Sequence, residues 1–135
     1  IRDKNSRLDG IPLFVEFRHD SWLRPDVKEA LRGEDIGYTN VDEPPLPHLL
    51  PPESETTTGI GYIRLHGRNS AQWWQGGGER YNYSYTDDQL SEWVKRLETL
   101  RQKADRIYVF FNNCHLGRAV RDAHRFMELL TVEEA

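Results

Sequence analysis

Cysteine is almost absent from this sequence: Cys114 is the only one in 135 residues. That excludes a disulfide within the chain and any Cys-x-x-Cys motif. Without a disulfide frame, a reducing, cytoplasmic setting is the expectation. Long apolar runs are missing too, and nothing approaches the ~20 residues that cross a bilayer as a helix, so no membrane partner is expected. Nor is there an excess of positive charge, since 18 lysines and arginines stand against 22 acidic residues, for a formal charge of -4. Holding nucleic acid through many phosphates normally requires a basic surface. The balance argues against that class of partner, while a local arginine cluster still suits a single anion. The chain opens on Ile1 in a polar stretch, with neither a methionine nor a basic-then-apolar leader, and reads as a segment of something longer.

What is present is a repeating alternation of strand and helix patterns. Ile11 to Phe17 is a short apolar run interrupted by Glu16, with Arg18 two residues on. A helix follows, with Pro25 in its first turn, Leu23, Val27, Ala30 and Leu31 on one face, and Gly33 as its stop. Ile36 to Val41 is a second strand, ending at Asp42. The segment from Glu43 to Gly59 is long for a loop in a compact domain, which points to a functional or mobile element. Ile60 to His66 is the third strand. After it comes a connection holding Trp73, Trp74, three glycines, Tyr81, Tyr83 and Tyr85. Thr86 to Gln89 has the form of a capping box. It opens a helix with the stripe Leu90, Trp93, Val94, Leu97 and Leu100. Ile107 to Phe111 is apolar throughout, as expected of a parallel strand buried on both faces. Gly117 opens a last helix whose buried side is expected to hold Leu116, Ala119, Val120, Ala123, Phe126, Met127 and Leu130. Such alternation predicts an α/β fold with a parallel sheet. A complete eight-fold barrel takes about 250 residues, so this chain would supply roughly half.

Each strand ends in polar groups. Side chains alternate across a strand, so Tyr62, Arg64 and His66 share one face and Ile63 and Leu65 the other. Gly67 permits a corner, and Arg68 lies just beyond it. The other ends carry Glu16 and Arg18, Asp42, and Asn112 with Asn113. Ligands of parallel α/β folds bind at the carboxyl ends of the strands, so these groups are candidates for one site. Arginine pairs with phosphate or carboxylate through two parallel hydrogen bonds, which assigns Arg18, Arg64 and Arg68 to a small anionic substrate. His66, or His19, suits proton transfer near neutral pH. Glu16 and Asp42 are its candidate partners or bases, and Asn112 and Asn113 would orient the ligand. The competing explanation is an internal ion network in which the acids only neutralise the arginines. A metal site drawing on His19, His66, Glu16 and Asp42 matches no recognised ligand spacing. Cys114 beside His115 reads as an ordinary thiol. Trp73, Trp74 and the tyrosines that follow suit either an aromatic lid or a packed rim.

Three of these motifs together resemble the YecE-like family, a domain family of unknown function numbered seventy-two. They are Val15-Glu16-Phe17-Arg18-His19 with Ser21-Trp22, Tyr62 to Arg68, and Val109-Phe110-Phe111-Asn112-Asn113. The Tyr83-x-Tyr85 stretch also fits. The resemblance covers nearly all of residues 1–135. It implies a TIM-like (β/α) barrel of which this is the C-terminal portion, with the N-terminal strands missing. By the same resemblance Glu16, Arg18, His19, Asp42, Arg64, His66, Arg68, Asn112 and Asn113 fall on family-like positions. It brings no established activity, substrate or cofactor. The expected function is an enzyme acting on a small anion, phosphorylated or not. The alternatives are a non-catalytic binding module at the same site and a metal-dependent hydrolase.

Overall fold

The computed structural model describes residues 10–133. Four parallel strands form a single sheet in the order β1-β2-β3-β4. They are β1 (Leu13–Val15), β2 (Ile36–Asp42), β3 (Ile60–Leu65) and β4 (Arg106–Phe111). The helices are α1 (Pro25–Gly33), α2 (Asp87–Arg101) and α3 (Arg118–Glu133). The expected alternation is present, with β1 shorter than its apolar run, so Glu16 and Arg18 lie on the chain just beyond it. None of the described helices is long and apolar enough to cross a membrane.

The core lies between β3, β4 and the helices α2 and α3. Ile63, Leu65, Leu90, Trp93, Val94, Leu97, Leu100 and Phe126 are buried there. The alternation of β3 decides which residues go in, for Gly61, Ile63 and Leu65 are buried while Ile60, Tyr62 and Arg64 are only partly so. The capping box of α2 is complete: Thr86 accepts from the Gln89 backbone N–H, and the Gln89 side chain accepts from that of Thr86. Each satisfies an amide that the first turn leaves without a partner.

Two expectations about burial fail for one reason. In β4, Ile107, Val109 and Phe111 face the helices, but Tyr108 and Phe110 are exposed. Their face continues through Tyr62 to Phe14, with ring centroids 5.0 Å apart for Tyr62–Phe110 and 4.7 Å for Phe14–Tyr62. In α3, Phe126 is buried, yet Val120 and Met127 are exposed, as is Leu116 in the turn before it. Among the described residues, nothing covers the second sheet face at Tyr108 and Phe110 or that side of α3, whereas the same face is closed over β2, where Thr39 and Val41 are buried.

The long connection after β2 is fastened down. Asn40, buried in mid-strand, donates to the Glu55 carbonyl at 2.8 Å and accepts from the Glu55 N–H at 2.9 Å. Glu53 accepts from Tyr38 and from Lys28.

Gly61 lies directly under α2, and a Cβ there would stand 2.7 Å from Leu100 Cδ2. Overpacking of this kind costs about 1–3 kcal/mol. Gly61→Ala is therefore expected to lower the unfolding free energy by that much in a denaturant titration.

Candidate functional site

The carboxylate of Glu16 gathers the polar ends of β1 and β3. It accepts from Arg64 Nη1 at 2.8 Å, meets His66 Nε2 at 3.1 Å and pairs with Arg18 Nη2 at 2.6 Å. Arg18 also donates through Nη1 to Glu43 Oε1 at 3.0 Å. His66 and Glu43 are buried, whereas half of the Arg18 side chain and a third of that of Arg64 reach solvent. Glu43 is the member that sequence reasoning missed. Its signal is an acid directly after the acid that ends β2, at the first position of what the sequence presents as a loop.

Charge inside this group is unevenly distributed. Burial pushes the Glu16 carboxyl up, but the hydrogen bond and charge of His66, with Arg18 and Arg64 behind them, outweigh that effect and hold it below the usual range. Burial pushes the Glu43 carboxyl up as well, and Arg18 and His66 only partly offset it, so its net displacement is upward. Two carboxyls around one imidazole are thus driven apart. Because ionised Glu16 can only accept, His66 donates through Nε2. Its Nδ1 is buried with no hydrogen-bond partner among the described residues, and so is Glu43 Oε2. Buried polar atoms without partners are uncommon in native folds. Here both belong to residues of one cluster.

A second group lies on the helix side of the same strand ends. Asp42 is buried and accepts from Arg68 Nε and Nη2, each at 2.7 Å, and from the Trp93 indole N–H. The Gly67 N–H donates to the Tyr85 hydroxyl at 2.8 Å. Gly67 has φ +90°, and a Cβ there would stand 2.8 Å from that of Tyr83. That corner separates His66, in the Glu16 cluster, from Arg68, beside Asp42.

The structure therefore splits the candidate residues. Glu16, Arg18, Arg64 and His66 come together. Asp42 and Arg68 satisfy one another beneath them. Asn113 is buried, donating to the Tyr83 carbonyl at 2.8 Å and to Asp122 at 2.6 Å, so it anchors the chain after β4. The Asn112 N–H donates to the Leu65 carbonyl, continuing the β3–β4 ladder. His19 stands apart, exposed and stacked on His48 with centroids 5.2 Å apart. His19, His66, Glu16 and Asp42 do not converge on a common cation position, for the one metal-compatible group among the described residues is His19, Asp20 and His48. Of the aromatic loop, Trp73 is buried and Trp74 is exposed. A groove of about 380 Å³ runs beside the site, lined by Glu43, Leu46, Leu50, Arg68 and Glu92.

The match to known proteins is consistent along the chain. The model of the family described as "Protein of unknown function DUF72" matches residues 2–135. The chain belongs to the DUF72 family. It is 32% identical to the UPF0759 protein YunF of Bacillus subtilis, covering 94% of this chain and 49% of that one. The DUF72 family protein of Thermotoga maritima superposes with a TM-score of 0.85 at 41% identity, covering 90% of this chain and 47% of its own. A DUF72 family protein of Enterococcus faecalis gives a TM-score of 0.80 at 25% identity, covering 92% and 49%. The chain spans about half the length of these relatives. The YecE-like motifs are those of this DUF72 member.

Linkage gives these carboxyls opposite pH signatures. Glu16, held below its free value of 4.5, contributes stability present above that pH and lost as pH falls through its lowered pKa. Glu43, raised above 4.5, makes stability decline as pH climbs from there through its raised pKa. Removing a hydrogen bond to a charged group costs about 1.5–3 kcal/mol, so Glu16→Gln is expected to lose that much at pH 7 and progressively less below pH 4.5. Glu43→Gln should flatten the decline above pH 4.5. Unfolding titrations across pH check both.

Proposed function

We propose that this DUF72 chain is the C-terminal half of a parallel (β/α) barrel whose strand ends form an enzyme site for a small anionic substrate. The observation that carries the reading is the opposite displacement of Glu16 and Glu43 around His66. Pairs of titratable groups driven apart by their surroundings mark acid and base roles. Arg18 and Arg64 bring two positive charges, and Glu16 neutralises one. Burial displaces Glu43 toward its neutral form, which favours an anionic group at the partly exposed guanidinium edges. In this reading His66 Nδ1 is the proton acceptor, held in orientation by Glu16, and Glu43, whose pKa burial displaces upward, is the candidate donor. Arg68 and Asp42 position the corner at Gly67 from beneath. Asn112, on the Arg64 face by continuation of the strand alternation, would orient the ligand. A small-molecule partner rather than nucleic acid belongs to the same reading, on the formal charge of -4, and a cytoplasmic setting on the single cysteine.

The barrel part of the proposal rests on three features. The strands are parallel and in consecutive order, with α2 and α3 on one face of β3 and β4. The opposite face presents Phe14, Tyr62, Tyr108 and Phe110, which would line a barrel interior. The relatives are twice as long.

Inorganic phosphate serves as the probe for the site. Arg64→Ala is expected to abolish its calorimetric signal in the full-length protein without loss of folding, and unchanged binding overturns the anion assignment. Once a turnover assay exists, His66→Gln should remove turnover while keeping ligand affinity, whereas a pure binding module would change in affinity alone. The 135-residue chain by itself should self-associate in sedimentation, and Tyr108→Ser with Phe110→Ser should reduce that association.

A further inference from the structure

The segment after β1 and the loop after β2 meet outside the Glu16 cluster. His19 and Asp20 come from the first, His48 from the second. The Asp20 carboxylate reaches both rings, with His19 Nδ1 3.3 Å from Oδ1 and His48 Nδ1 3.6 Å from Oδ2. The rings are parallel to within 4°. One ligand atom from each residue falls within 4.8 Å of the other two. Backbone geometry holds this meeting in place. The Asp20 N–H donates to the His48 carbonyl at 3.0 Å. His48 has φ +67°, a left-handed conformation that a residue with a side chain adopts at a cost and that clusters at functional positions.

Ser21 occupies the approach to His19 Nδ1, with its N–H donating at 3.1 Å and its hydroxyl 2.9 Å away. The same nitrogen stands 3.3 Å from Asp20 Oδ1, so an imidazole nitrogen and a carboxylate oxygen already border one position. Imidazole nitrogens bind zinc at about 2.0–2.1 Å and carboxylate oxygens at about 2.0–2.2 Å. Donors arranged tetrahedrally around such an ion then stand about 3.3–3.5 Å apart. Closing the present spacing, up to 4.8 Å, takes movement of about an ångström in three exposed side chains, with Ser21 giving up its place on Nδ1.

We propose that His19, Asp20 and His48 form a site for a divalent first-row transition metal ion. Two imidazoles and one carboxylate select zinc, cobalt, nickel or copper over magnesium and calcium, which prefer all-oxygen shells. Three protein ligands leave at least one coordination position to water, as in open rather than structural sites. The ion would clamp the loop after β2 against the turn that follows Arg18. This assignment does not depend on the anion site, because it uses none of that site's residues.

The test is zinc uptake by the purified full-length protein, measured by competition with a chromophoric chelator. One zinc per chain is expected, with cobalt giving visible absorption bands at the same stoichiometry. His48→Ala and Asp20→Asn should each weaken zinc binding by at least about tenfold, since even groups that only orient a metal ligand are worth that much. All three side chains are exposed, so the variants should keep the parent's circular dichroism. His124→Ala, on the outside of α3, is the control and should leave uptake unchanged. Absence of stoichiometric zinc uptake, or equal affinity in His48→Ala, Asp20→Asn and the parent, overturns the proposal.

Discussion

A single carboxylate connects the two ends of this sheet's polar rim. Glu16 lies on a chain that has already left β1, a strand of three residues. Little in that short ladder fixes where the following residues go. The bonds from Glu16 to Arg64 and His66 fix them, by joining the exit of β1 to the exit of β3 across β2. Arg18 extends the connection to Glu43, at the exit of β2. A partly buried charge is tolerated only with partners, and three partners in one place turn the requirement into a positional constraint. The same bonds hold Glu16 ionised and set which His66 nitrogen is left free.

The sheet has two unlike faces, and much of the rest follows from them. One face is closed by α2 and α3 and carries the core. The other carries aromatic rings in contact with one another, of which Tyr108 and Phe110 are open to solvent. Exposed aromatic rings beside a β4 edge that has no further partner strand among the described residues are what folds cover by pairing or packing. The exposed side of α3 adjoins the same open edge.

The sequence was readable where a local rule has one outcome. The capping box at Thr86, the corner at Gly67 and the two-residue spacing of Arg64 and His66 all appear as expected, because backbone geometry alone decides them. It was less readable where the outcome depends on what stands opposite. A run such as Ile107 to Phe111 is the same string of letters whether one face or two are covered, and only the neighbouring layer decides. Asp42 and Asn113 were recognisable as polar groups at strand ends. That Asp42 faces Trp93 and Arg68, and Asn113 faces Asp122, depends on α2, α3 and the aromatic loop folding back, which no spacing within the strands encodes. Glu43 was missed because one further step along the chain takes a side chain off the strand and beneath Arg18.

Asn40 lends the segment after β2 an unexpected character. Its buried amide exchanges two hydrogen bonds with the backbone of Glu55, as a paired strand residue would, from a strand that already has neighbours on both sides. The far end of that connection is in effect grafted onto the sheet. Tolerance to insertion or deletion is then unevenly shared along it. Extra residues fit among the prolines near its start, whereas a single residue added or lost close to Glu55 would shift this graft out of step with β2.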